Sequence, residues 1–125
     1  MRASTVALLT VGIFTLSTPT VAHHSFAMFD ASREIQLRGT VREFRWTNPH
    51  AFVQIIAANE GLEGEWSIEM TSPEHLWRIG WKPGTIRPGD KITLVVHPLR
   101  NGAHGGQFLS GFDANGASLV GETRK

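Results

Sequence analysis

The sequence predicts a mainly β fold, a small barrel carrying one short helix. Three features point there. Five β-rich runs are separated by turns rich in Gly, Pro and Asn, the first run is long and changes its apolar phase part-way, and the clearest helix start lies between the third and fourth runs.

Ahead of the first run, Arg2 gives a positive start, residues 6–16 are uncharged and largely apolar, and Thr20-Val21-Ala22 has the small-x-small pattern cut by signal peptidase. The apolar stretch is too short to span a bilayer. Residues 1–22 are therefore expected to be a cleavable signal peptide, and residues 23–125 a single domain that is periplasmic or secreted, with no membrane span after cleavage. The first dozen residues after the cut and the last few are expected to be poorly ordered.

The first strand covers residues 34–46. Ile35, Leu37 and Val41 share one parity and Phe44 and Trp46 the other, so the strand needs a bulge or strong bend, with Gly39 as the expected point of curvature. Thr47-Asn48-Pro49 is turn chemistry, and residues 50–58 read as a buried second strand closed by Asn59-Glu60-Gly61. Residues 65–70 alternate cleanly, with Trp66, Ile68 and Met70 on one face. Ser72-Pro73-Glu74 then starts a short helix: Ser caps, Pro takes the first helical position and an acid sits in the first turn. Leu76 and Ile79 face inward, and Gly80 stops the helix. A fourth strand follows at 91–96, a fifth at 107–112 and a short sixth near 118–120, with Gly102-Ala103-His104-Gly105-Gly106 as a flexible hairpin loop.

Three meandering strands, a short helix and two further strands is the order of an OB-fold, a partly open Greek-key barrel whose first strand is long and bent. A small β-sandwich is the competing arrangement, because strand order alone does not decide which edges meet.

Bulk properties bound the function. The chain has 125 residues, enough for one modest core but not for a separate cofactor domain. Lys and Arg number 12 against 11 Asp and Glu, and loss of Arg2 with the leader brings the remainder to formal neutrality, without the basic footprint of a nucleic-acid binder. The absence of cysteine excludes thiolate chemistry and iron–sulfur clusters, although the expected compartment would permit disulfides.

Cleavage after Ala22 makes His23 the first residue of the mature chain, followed by His24. A terminal α-amino group and the Nδ1 of the same histidine can chelate one metal ion, and a third nitrogen from a distant histidine completes a T-shaped histidine brace. Tetragonal nitrogen ligation suits Cu(II), so copper is the expected metal. His24 offers a second mode, through the amine, the intervening amide and its own imidazole. His50 is the expected third ligand, since it follows the Asn-Pro turn and begins a strand that would hold its ring on a rigid element. Each histidine also has a plainer reading, a polar start for the His23-His24 pair and a turn-stabilising ring for His50. His97 and His104 read as solvated, and His75, in the first helical turn, is set aside as facing solvent. No spacing matches a zinc pattern.

Trp46, Phe52, Trp66, Trp77 and Trp81 read as core and barrel filling ahead of a stacking platform. Glu65 and Glu69 share a strand face that could pair two carboxylates, though a solvated face is the commoner outcome. No serine-nucleophile motif or phosphate loop is present, and no nucleophile–base pair can be assembled, so a binding role is expected ahead of an enzymatic one.

Taken together, His23-His24-Ser25-Phe26, Trp46-Thr47-Asn48-Pro49-His50, Trp66-Ser67-Ile68-Glu69, Gly80-Trp81, Pro88-Gly89-Asp90 and His97-Pro98-Leu99-Arg100 make the chain resemble the bacterial domain of unknown function family 6152. The resemblance runs over nearly all of 23–125; its motifs are weak singly and specific in combination. It implies a small exported protein and supplies no activity.

The leading expectation is a periplasmic or secreted OB-like domain that binds or delivers copper through the His23 amine and imidazole, with His50 as third ligand and His24 in reserve. The alternatives are a metal-free envelope binding or assembly module that holds a protein or small ligand on its aromatic and exposed strand surface, and a copper-dependent oxidoreductase built on the same terminal histidine.

Overall fold

The computed structural model describes residues 26–120; the expected signal peptide, His23 and His24 lie outside the described residues. Five strands, β1 (Ile35–Arg45), β2 (Phe52–Ala57), β3 (Gly64–Glu69), β4 (Lys91–Pro98) and β5 (Gly105–Asp113), and one helix, α1 (Pro73–Arg78), run in the order β1-β2-β3-α1-β4-β5. The strands close a barrel in the order β1-β2-β3-β5-β4, with β4 returning to β1. All neighbours are antiparallel except β3 and β5, which are parallel. This is the OB-like arrangement, and the sandwich is excluded because the sheet closes on itself. The expected gap in the barrel is bridged where residues 67–69 meet residues 105–107.

β1 bends as its apolar phase requires, but not where expected. Its register against β2 shifts between Val41 and Glu43, so Arg42 is the extra residue of a bulge that turns Phe44 toward the core side. Gly39 serves a different need: a Cβ there would lie 1.9 Å from the Ile56 carbonyl oxygen, so the crossing of β2 tolerates only glycine. β3 alternates as expected, with Trp66, Ile68 and Met70 buried. Ser72 caps α1 through its Oγ, which accepts from His75 N at 3.3 Å, Pro73 starts the helix and Leu76 is buried. Gly80 ends the helix at φ 99°, a left-handed conformation open to glycine.

Three expectations need correction. Gly105 and Gly106 are not loop residues but the buried start of β5, where a Cβ would meet Leu99 Cδ1 at 2.6 Å and His97 O at 2.8 Å respectively. The sixth strand reduces to an isolated bridge between Phe112 and Ser118. Residues 26–34 are tied down rather than loose: after a 3₁₀ turn, Phe26–Met28, Phe29 is buried and bridges Leu99, and Arg100 Nε donates to Ala27 O at 2.9 Å.

Leu37, Val53, Ile55, Ile68, Leu94 and Val96 are wholly buried in the barrel. Each such side chain contributes about 1.5–3 kcal/mol, and packing carries the stability of a chain without cysteine. Trp66 and Trp81 are core, as expected, and Trp81 meets Phe44 and Phe108 edge-on at 5.9 and 5.5 Å. Trp77 departs from that expectation and is 59% exposed. Among the described residues no helix is long and apolar enough to cross a membrane.

Candidate functional site

His50 follows the Asn48–Pro49 turn, which has a cis peptide bond. Thr47 Oγ1 donates to His50 O at 2.8 Å across the turn, and the backbone beyond is pinned by Ala51 N to Thr71 O at 3.1 Å and Met70 N to Ala51 O at 2.8 Å. The β2–β3 ladder thus continues past its formal end and holds His50 beside the exit of β3. There His50 Nδ1 lies 2.8 Å from Met70 O and 3.6 Å from Glu69 Oε1. A carbonyl can only accept, so Nδ1 carries a proton, the tautomer that leaves any lone pair on Nε2.

Glu69 is the better buried of the two, its side chain 14% exposed against 28% for His50. Both line a cleft of about 240 Å³ between the end of β3, α1 and β5. His75, Leu76 and Ile79 come from α1 and its C-cap, Gln107, Phe108 and Leu109 from β5, and Met70 and Thr71 from the segment between β3 and α1. Phe29 closes one side, so the chain enters the described region against the same cleft that His50 lines.

Two of the other histidines, His97 and His104, do not line the cleft. His97 Nδ1 is 2.8 Å from Arg33 O, and the His104 ring stacks on Trp66 with centroids 4.4 Å apart and planes 6° apart; both thus have structural partners, and His104 remains exposed, as expected. His75 is exposed, as expected, and also lines the cleft. Glu65 and Glu69 do not pair. Glu65 is taken by Arg42, whose pKa is raised by that hydrogen bond and by the Glu65 charge, while Glu69 turns to His50.

Of the three histidines named from sequence, His50 is in the cleft, and His23 and His24 lie outside the described residues. Among the described residues no three His, Asp or Glu side chains stand together as a metal-holding group. Sequence reasoning missed Glu69, His75 and Gln107 as cleft residues. The signal for Glu69 is its position at the end of an alternating strand, and it becomes usable only with the β2–β3 register that sets Glu69 opposite Phe52.

The sequence model of a family of unknown function (DUF6152) matches residues 11–108, a span running from the expected leader through β1 to β4 into β5. No curated protein matches the chain.

Proposed function

The chain belongs to the family of unknown function DUF6152, and we propose that it is an exported copper-binding protein of the cell envelope. Cleavage after Ala22 frees the His23 amine, which with the His23 imidazole forms one chelate, and His50 supplies the third nitrogen.

The observation that carries this reading is the setting of His50. Its Nδ1–H is held by the Met70 carbonyl with the Glu69 carboxylate near by, the outer hydrogen bonding that fixes the tautomer and orientation of metal-binding imidazoles. A neutral ring with its lone pair on Nε2 is the form that ligates. The chain between His23 and Phe29 spans at most about 20 Å when extended, enough to return the terminus to the cleft that Phe29 itself lines. Copper suits an all-nitrogen donor set. His24 offers the alternative chelate through the intervening amide.

The test starts from the exported protein. Mass spectrometry should find a chain beginning at His23, and Cu(II) titration followed by electron paramagnetic resonance should give nitrogen-ligated copper. His50→Ala, or a glycine added ahead of His23, should each weaken binding by about 100-fold or more, beyond what loss of an outer partner costs. A different mature terminus, or copper binding indifferent to both changes, removes the reading in favour of a metal-free envelope module.

A further inference from the structure

We infer that the outer side of α1 and the connection from it to β4 dock the protein on an anionic lipid surface, with the Trp77 indole at headgroup depth and Lys82 and Arg87 against lipid phosphates. This face goes beyond the copper reading and does not rest on it.

Charge is the first observation. Residues 75–89 carry Arg78, Lys82 and Arg87 and neither Asp nor Glu, whereas the other described residues hold ten Asp and Glu against six Lys and Arg. A chain close to neutral as a whole is thus polarised, with its positive charge gathered on one segment. Arg78 pairs with Glu74 on the open side of α1, but Lys82 and Arg87 have no carboxylate partner among the described residues. Asp90, the next acid along the chain, turns its Oδ2 to the Arg87 backbone N–H at 2.9 Å.

Presentation is the second. The segment is held from beneath by Leu76, Trp81 and Ile86, all buried in the core. Lys82 N donates to Thr85 Oγ1 at 2.8 Å and Thr85 N to Lys82 O at 2.9 Å, which closes the turn between them, and the Arg87 guanidinium lies over Gly84, where a Cβ would stand 3.6 Å from Nη2. With the apolar side chains turned in, Trp77, Arg78, Lys82 and Arg87 are left exposed. Trp77 is the most exposed large apolar side chain among the described residues, and Lys82 Nζ stands 5.8 Å from its ring centroid, so an indole and a cation share one point of the surface.

The occupant follows from the size of the patch. A stable protein interface takes about 800 Å² from each partner around an apolar core, and the other exposed large apolar side chains, Met28, Ile56 and Leu109, belong to the 3₁₀ turn, β2 and β5. A lipid surface needs no matched patch. Trp settles at headgroup level with its ring in the apolar layer and its N–H in the polar one, and each Lys or Arg close to an anionic leaflet strengthens binding about fivefold. One indole and three cations on a single segment meet that need. The excess of acid over the rest of the described chain is repelled by the same surface, so the docking is oriented as well as salt-sensitive.

The experiment uses the exported protein with chelator present and no copper, and measures cosedimentation with vesicles of phosphatidylcholine alone or of equal parts phosphatidylcholine and phosphatidylglycerol. Binding should be confined to the mixed vesicles and be lost at about 1 M salt, where the screening length is about 3 Å. Lys82→Gln with Arg87→Gln should weaken it about 25-fold, fivefold for each charge. Arg33→Gln with Arg38→Gln, which removes the same charge from exposed positions elsewhere, should leave it within about twofold. Trp77→Ser should weaken binding and leave its salt dependence unchanged. Absence of binding to the mixed vesicles, equal binding to both kinds, or an equal loss in the two charge pairs would each overturn the assignment. Soluble polyglutamate bound as tightly as the mixed vesicles, and indifferent to Trp77→Ser, would assign the face to an acidic protein and overturn it too. Because copper is absent, failure here leaves the copper reading standing, and failure of the copper titration leaves this face standing.

Discussion

At the scale of single residues, Asp30 shows how a short polar turn fixes the entry of the chain. Ser32 Oγ and Ser32 N donate to Asp30 Oδ1 at 2.6 and 3.1 Å. Those two bonds are the main cause holding the Asp30 carboxyl below its ordinary value; burial opposes them, and the charges of Arg100 and Arg33 add to them. A group whose pKa is lower in the folded chain stabilises above its unfolded value and loses that contribution as pH falls through the folded one. Ser32→Ala should therefore raise the Asp30 pKa toward the ordinary range and lower stability at neutral pH. The difference should shrink to nothing in strong acid, where both chains are protonated at Asp30. Carboxyl NMR titration paired with urea denaturation at neutral and strongly acidic pH checks this, and a loss equal at every pH would contradict it. Part of the site is legible from residue identity alone. His50 stands out because turn chemistry and a strand start flank it. The partners of His97 and His104 do not, because Arg33 and Trp66 lie far from them in sequence and come near only through the folding of the sheet.

Elements divide by whether their signal is local. α1 is legible because cap, Pro and stop glycine all lie within a few residues of one another. The bulge of β1 is legible as a change of phase but not in position, since only the register against β2 shows that Arg42 is the extra residue. Gly105 and Gly106 look like loop residues in isolation; their place in a strand depends on β3 running beside them and on neighbours that leave no room for a Cβ. α1 also forms one wall of the cleft, and Leu76, 1% exposed, is the side chain that anchors it to the core. Leu76→Ala should cost about 2–5 kcal/mol, the range for truncating a buried leucine. Urea denaturation measures it, and a loss under about 1 kcal/mol would mean that α1 rests on its cap alone.

The whole molecule is a barrel closed by unequal seams. β1 carries long antiparallel ladders on both sides, to β2 and to β4, and β4 runs against β5 for most of its length. β3 and β5 meet in parallel only where residues 67–69 face 105–107, next to the hairpin loop at 101–104. Parallel pairing is slightly weaker per residue, and this seam is shorter than any of the antiparallel ladders. Regions with few covering contacts open below the global unfolding free energy. Native-state hydrogen exchange should accordingly find the seam amide of Ser67, which donates to His104 O, exchanging before those of Leu37, Val53 and Leu94 in the antiparallel ladders. Because Glu69 and Gln107 both border the seam and line the cleft, anything bound in the cleft that bridges them should slow that exchange, while the ladders on the far side of β1 stay unchanged. Equal protection across all seams would mean that the barrel opens only as one unit, and the cleft would then have no local motion for a ligand to suppress.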